Sequence, residues 1–114
     1  MTVGIVGLGL IGGSFAKAYS AKGHEVLATD IDRAMLEFAM ISGSVNARLT
    51  KEKLKDCDLI LICVYPRAAI DFMLENGQYI GDKPVVIDCC GTKAGVVSEA
   101  TPWPELSIRA FLTP

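Results

Sequence analysis

Three glycines near the amino terminus constrain the fold more than any other feature of the chain. An apolar run, residues 3–6, leads into Gly7, Gly9 and Gly12, which have the spacing Gly-x-Gly-x-x-Gly, and a helix-like segment follows. In a strand-turn-helix unit, the first glycine permits a tight turn, the second lets the backbone approach a pyrophosphate, and the third lets helix and strand pack closely. The phosphates would bind the free N–H groups at the positive end of the helix. We therefore predict a dinucleotide-binding turn that also includes Leu8, Leu10 and Ile11.

An acidic residue follows the glycines at the expected distance. Asp30 ends a second apolar run, residues 25–30, and a ribose-binding carboxylate is expected about 20 residues after the turn. A carboxylate there accepts hydrogen bonds from ribose hydroxyls and repels a 2′-phosphate, which favours NAD over NADP. Arg33 could pair with such a phosphate, and we place it with Ile31 beside the cofactor. The alternatives are an ordinary strand-end aspartate and a solvated arginine in the first turn of a helix.

Length and composition exclude several classes of protein. The chain has 114 residues, a formal net charge of −2 and a hydrophobic fraction of 51%, which fits one domain whose central strands are covered on both faces. Without a basic cluster, a nucleic-acid partner is not expected. No apolar run approaches the roughly 20 residues of a membrane span. The absence of a cationic leader and of a disulfide pattern predicts a cytoplasmic protein with reduced thiols.

The cysteine and histidine spacing predicts no metal site. The chain has a single histidine, and its four cysteines contain no Cys-x-x-Cys pair, so a zinc site is not expected. Cys63 lies inside an apolar strand, where we expect a small core residue. Cys89 and Cys90 follow another strand, and there a reactive thiol remains the alternative to two ordinary reduced thiols.

Strand and helix patterns alternate along the whole chain. Such alternation predicts an α/β fold, a Rossmann-type doubly wound parallel sheet with strand order 3-2-1-4-5-6. The ligand would bind outside the carboxyl ends of strands one and four, beside the loops 7–12, 63–67 and 88–93. The predicted strands are residues 2–6, 25–30, 45–47, 58–64, 84–88 and 107–112, and the predicted helices are residues 11–22, 33–41, 50–55, 67–75 and 93–100.

Few residues could carry acid–base chemistry. His24 precedes the second strand, so it belongs at the amino end of the sheet, away from the ligand, and we interpret it as a surface residue. Thr92 and Lys93 lie in the third loop and could contact a hydroxy-acid substrate; alternatively, Thr92 caps the next helix and Lys93 is solvated. Tyr65 and Pro66 would pack beside the cofactor, unless Pro66 simply begins a helix.

Four segments together resemble the prephenate dehydrogenase family, in order and over nearly the whole chain. They are Gly-Leu-Gly-Leu-Ile-Gly-Gly-Ser at 7–14, Asp-Ile-Asp at 30–32, Cys-Val-Tyr-Pro at 63–66 and Asp-Cys-Cys-Gly-Thr-Lys at 88–93. The family oxidises prephenate with NAD(P), losing carbon dioxide, to 4-hydroxyphenylpyruvate in tyrosine synthesis, and some members use arogenate. The resemblance implies cytoplasmic homodimers of the full-length enzyme, and it adds to the cofactor site Cys63, Val64, Tyr65, Pro66 and Gly91.

Two departures from the family pattern limit what the resemblance implies. Gly91 stands where the family usually has serine, and residues 111–114 end about where its catalytic His-Pro motif should begin. The resemblance covers only the family's dinucleotide-binding domain, and we expect residues 1–114 to lack the C-terminal helical domain that completes the family's substrate site and forms its dimer. We therefore expect residues 1–114 to form a truncated dinucleotide-binding domain that does not oxidise prephenate alone. The alternatives are another Rossmann dehydrogenase, of the β-hydroxyacid or imine-reductase kind, and a stand-alone NAD-binding regulatory module.

Overall fold

The sheet of the protein has the predicted parallel topology. A computed structural model describes residues 1–89, so the predictions for Cys90, Gly91, Thr92, Lys93 and everything beyond lie outside the described residues. Five parallel strands are ordered β3-β2-β1-β4-β5, which confirms the Rossmann-type fold and its first five positions. The strands are β1 (Thr2–Val6), β2 (Glu25–Thr29), β3 (Ala47–Arg48), β4 (Leu59–Ile62) and β5 (Val85–Asp88).

Helices cover both faces of the sheet. Alternate side chains of each strand point to opposite sides, and the apolar side chains on each side pack against helices. On one face, Val3, Ile5 and Leu61 pack in a buried cluster with residues of α1 and α2; on the other, Ile60 and Ile62 pack in a cluster with residues of α3. The helices are α1 (Leu10–Ala21), α2 (Arg33–Ile41) and α3 (Pro66–Ile80), and a short 3-10 helix spans Lys51–Asp56.

The longest disagreement with the sequence prediction concerns α3. The predicted helix ended at residue 75, before Asn76 and Gly77, but α3 continues to Ile80. Asn76 donates a side-chain hydrogen bond to the Phe72 carbonyl oxygen (2.9 Å), and Ile80 is 1% exposed in the core. Burial of Ile80 outweighs the poor helix propensity of asparagine and glycine.

The third strand was predicted two residues too early. Val45 is buried in the core. The side-chain oxygen of Asn46 accepts the hydrogen bond of the Val26 N–H (2.8 Å), which a main-chain carbonyl would accept in a regular strand pair. The strand therefore begins at Ala47. Thr50, the first residue of the predicted helix 50–55, is the N-cap of the 3-10 helix, although its side chain makes no capping hydrogen bond. The observed strands β2 and β4 are also shorter than predicted, so Asp30 and Val64, which were predicted to end strands, lie just beyond them.

Candidate functional site

The strand register brings the predicted site loops to one edge of the sheet. Thr29 of β2 pairs with Val6, Val6 with Ile62, and Ile62 with Asp88. These four residues end their strands, so they form a level row at the carboxyl edge. The loops 7–12 and 63–67 begin directly beyond this row, and Cys89, the last described residue, begins the loop after β5. The structure thus brings the starts of all three predicted loops together.

Gly7 makes the sharp turn out of β1. Its φ angle is 97°, a conformation that residues with a Cβ rarely adopt. A Cβ at this position would also lie 2.6 Å from Val64 Cγ1 and 2.7 Å from the Cys63 carbonyl oxygen. The predicted tight turn is present, and it is pressed against the loop that follows β4.

Gly12 and Gly9 differ in the space around them. A Cβ on Gly12 would lie 1.8 Å from the Gly7 carbonyl oxygen, so the first turn of α1 packs directly on the turn, as predicted for close helix–strand packing. A Cβ on Gly9 would meet no atom of residues 1–89 within 4 Å. Nothing in the described fold requires glycine at position 9, which fits a backbone left bare for a ligand.

The N-terminus of α1 is suited to an anion. Gly9 is the N-cap and offers no side-chain capping bond, and the first turn contains no acidic residue. The Gly13 N–H donates to the Gly9 carbonyl (2.8 Å), so the N–H groups of Leu10, Ile11 and Gly12 precede the first intrahelical bond. Together with the helix dipole, they can hold a pyrophosphate.

Asp30 is fixed in position by two backbone donors. Its Oδ2 accepts a hydrogen bond from the Leu8 N–H (2.7 Å) and its Oδ1 accepts one from the Asp32 N–H (2.8 Å). Each carboxylate oxygen retains a second lone pair for a ribose hydroxyl. Asp32 in turn caps α2, accepting from the Met35 N–H (3.2 Å). Two carboxylates therefore follow the end of β2, and negative charge there would repel a 2′-phosphate.

A cleft of about 250 Å³ extends from the turn along one side of α3. Gly7, Asp30, Ile31 and Val64, all predicted site residues, line this cleft. Five more lining residues were missed: the strand-end residues Val6 and Thr29, and Ala68, Phe72 and Glu75 of α3. The i, i+4, i+7 spacing of the three α3 residues places them on one face of the helix, but no sequence pattern indicates that this face borders the cleft. A dinucleotide with its phosphates at α1 and its ribose at Asp30 would have its adenine next to this cleft.

The other predicted cofactor residues fall into two groups. Leu8 and Cys63 are buried, with 5% and 7% of their surfaces exposed, so their side chains pack in the core under the glycine turn. Five others are exposed around the crevice and free to contact a ligand: Leu10, Ile11, Ile31, Arg33 and Tyr65. Pro66 is the first residue of α3, so the alternative prediction of a helix start holds for it.

Two thiols meet where β4 and β5 end. A hydrogen bond from the Cys63 side chain lowers the pKa of the Cys89 thiol. At the amino edge of the sheet, just before β4, burial raises the pKa of the Cys57 thiol from 9.0 to about 11, and the Asp56 and Asp58 carboxylates add to the effect. Cys57 is therefore an inert core residue, while Cys89 faces the crevice end of the sheet.

His24 lies far from this site. Its Nδ1 accepts a hydrogen bond from the Met1 amino group (2.9 Å), and its ring lies 5.8 Å from that of Tyr19. Both contacts are at the amino edge of the sheet, so the prediction that His24 lies away from the crevice is confirmed. Residues 1–89 contain no cluster of three potential metal ligands. Within the same range, no helix is both long and apolar enough to cross a membrane.

Comparisons with solved structures agree with this fold. Arogenate dehydrogenase from Synechocystis is similar with a TM-score of 0.80 and 22% identity, over 90% of this chain and 37% of that one. Prephenate dehydrogenase from A. aeolicus, solved with hydroxyphenyl propionate and NAD+, has a TM-score of 0.76 and 22% identity, over the same shares. A 3-hydroxyisobutyrate dehydrogenase from Mycobacterium tuberculosis has a TM-score of 0.77 and 15% identity, over 89% of this chain and 35% of that one.

The family of this chain is shown by a family model that matches most of its residues. The chain spans only 35–37% of the length of the three solved enzymes, and at these identities they show the fold alone. The model of the NAD binding domain of 6-phosphogluconate dehydrogenase, however, matches residues 2–101. Its match includes the glycine turn, Asp30 and the cleft beside α3. The chain therefore belongs to the family of the NAD binding domain of 6-phosphogluconate dehydrogenase, and its cofactor is NAD.

Proposed function

We propose that this NAD-binding domain serves a prephenate or arogenate dehydrogenase. The observation that carries the proposal is the combination of motifs in order, above all the Asp-Cys-Cys-Gly-Thr-Lys segment at 88–93. The fold similarity to an arogenate and a prephenate dehydrogenase supports it. Because the chain spans 37% of the length of each, the oxidation of prephenate by a whole enzyme, its homodimer and its cytoplasmic location all belong to the proposal.

The loop after β5 would supply the substrate contacts. It starts at the same level as the phosphate turn, because Asp88 pairs with Ile62 and Ile62 with Val6. Prephenate carries two carboxylates, and the Lys93 ammonium and the Thr92 hydroxyl are groups that bind carboxylates. NAD accepts the hydride, and loss of carbon dioxide leaves an aromatic ring. The domain would therefore bind and orient both reactants.

The complete product of the gene should be assayed with NAD and each of three substrates: prephenate, arogenate and 3-hydroxyisobutyrate. We expect NADH to form with prephenate or arogenate, and Lys93→Met to raise KM for that substrate by about 10-fold or more, since one charge-assisted contact is lost. Lys22→Met, an exposed lysine at the end of α1, is the matched control and should leave KM unchanged. Oxidation of 3-hydroxyisobutyrate alone would refute the proposal.

The second candidate is another dehydrogenase of the same fold, supported by the similarity to 3-hydroxyisobutyrate dehydrogenase and to imine reductases. The same assay, extended to a cyclic imine with NADH, separates it from the first. The purified 114-residue chain tests a further expectation. We expect it to bind NAD without oxidising prephenate, since His24 lies at the amino edge; turnover by this chain alone would contradict that expectation. Binding without turnover of any substrate by the complete gene product would favour a regulatory NAD-binding module.

A further inference from the structure

The cleft beside α3 has a charged residue that the dinucleotide motifs do not account for. Ala68, Phe72 and Glu75 line its helical side, spaced so that they share one face of α3. Ala68 and Phe72 offer an apolar surface for the face of a ring. Glu75 lies about 10 Å further along the helix axis than Ala68, at the end remote from the turn. The wall is thus apolar first and anionic at its far end.

Glu75 is uncommitted, in contrast to the other acid of the cleft. Both oxygens of Asp30 already accept backbone hydrogen bonds, and Asp71, one turn earlier in α3, pairs with Arg67 (3.6 Å). Within residues 1–89, the Glu75 side chain makes no hydrogen bond or ion pair. Its carboxylate is exposed and can turn toward a ligand without breaking a contact of the described fold.

A carboxylate at this place discriminates between purine bases. An ionised glutamate only accepts hydrogen bonds. Adenine carries an amino group at position 6, which donates, whereas hypoxanthine carries a carbonyl oxygen there, which cannot. We propose that Glu75 accepts a hydrogen bond from the 6-amino group of adenine and thereby makes the domain prefer an adenine dinucleotide to its hypoxanthine counterpart. This inference rests on NAD binding and is independent of the substrate proposed above.

The test measures a ratio of affinities by isothermal titration calorimetry. The 114-residue chain, Glu75→Ala and the control Glu37→Ala, an exposed glutamate of α2, are each titrated with NAD and with nicotinamide hypoxanthine dinucleotide. We expect the wild type and the control to bind NAD about 5-fold more tightly than the analogue, the size of one net hydrogen bond. In Glu75→Ala the two dissociation constants should agree within about 2-fold.

The ratio isolates the base contact from other effects. Removal of the Glu75 charge changes its repulsion of the pyrophosphate equally for both ligands, so that effect cancels. Alanine is the best helix former, and thermal unfolding followed by circular dichroism will verify that α3 is retained. The proposal is overturned if Glu75→Ala keeps the wild-type preference, or if the wild type binds both dinucleotides equally. Failure of the wild type to bind NAD would instead contradict the function of the site as a whole.

Discussion

Substitution of Gly12 by alanine tests the packing that builds the phosphate turn. The added methyl group would lie 1.8 Å from the Gly7 carbonyl oxygen, 2.9 Å from the Gly7 carbonyl carbon and 3.2 Å from Cys63 Cβ. Non-bonded atoms prefer separations of about 3.5 Å, so the start of α1 must move by more than about 1.5 Å. The obstacle is the main chain of Gly7, in the turn directly after β1, and main-chain atoms cannot rotate away as a side chain could.

The expected loss of stability follows from two opposing effects. Overpacking a tight site costs up to about 3 kcal/mol, and we expect the upper end because the clash is with main-chain atoms. Alanine recovers about 1 kcal/mol through its better helix propensity. The net decrease in the free energy of unfolding is therefore about 2 kcal/mol or more. For a domain of this size, that lowers Tm by about 10 °C.

Gly77→Ala is the matched control within the same chain. Gly77 lies inside α3, and a Cβ there would meet no atom of residues 1–89 within 4 Å. This variant should raise the free energy of unfolding by about 1 kcal/mol. Urea denaturation of the three proteins provides the comparison. If Gly12→Ala unfolds at the same or a higher urea concentration than the wild type, α1 does not pack on the turn as described.

Three further predictions concern the cofactor site and the core. Gly9→Ala should unfold like the wild type, since no atom of residues 1–89 lies within 4 Å of the added Cβ. Its NAD affinity should fall by about 10-fold or more, because the methyl group obstructs the pyrophosphate. If calorimetry finds the wild-type affinity in this variant, the phosphates bind elsewhere. Asp30→Ala should weaken NAD binding by about 10-fold and NADP binding less, and an unchanged ratio of the two would remove Asp30 from the ribose site. Burial raises the pKa of the Cys57 thiol from 9.0 to about 11 in the folded protein. Between these pH values the unfolded chain releases a proton that the native state retains. The free energy of unfolding therefore falls by up to about 1.4 kcal/mol per pH unit. In Cys57→Ala this part of the alkaline decline, measured by urea denaturation, should be absent; an identical decline in both proteins would contradict the raised pKa.

The sheet and the turn could be predicted because each has a strong local signal. Alternation of strands and helices leaves few topologies, and the order β3-β2-β1-β4-β5 is one of them. Gly7 and Gly12 are constrained by backbone geometry, since one has a positive φ and the other has main-chain atoms within 3 Å of its missing Cβ. Because positions with such backbone geometry require glycine, the motif could be interpreted from the sequence alone.

The missed features depend on contacts between distant segments. Asn76 and Gly77 indicate a helix end, yet α3 continues because Ile80 reaches the core. Helical spacing shows that Phe72 and Glu75 share a face, but not that this face borders the cleft next to Asp30. That relation arises from the packing of α3 beside β1 and β4, and no pattern within α3 encodes it. The cofactor residues that sequence analysis predicts are therefore those of local motifs, on the turn and in the loops after the strands.

The hydrogen bond from Leu8 to Asp30 joins the two recognised parts of the dinucleotide site. Leu8 belongs to the phosphate turn, Asp30 to the end of β2, and their 2.7 Å contact is reinforced where the Gly7 N–H donates to the Thr29 carbonyl (2.8 Å). The proposed phosphate donors and the proposed ribose acceptor are thus held in a fixed relation without a cofactor, and such preorganisation reduces the entropy lost on binding. Because Asp30 supports the turn through this hydrogen bond, we expect its removal to weaken phosphate binding as well as ribose binding, whereas removal of Glu75 should affect the base alone.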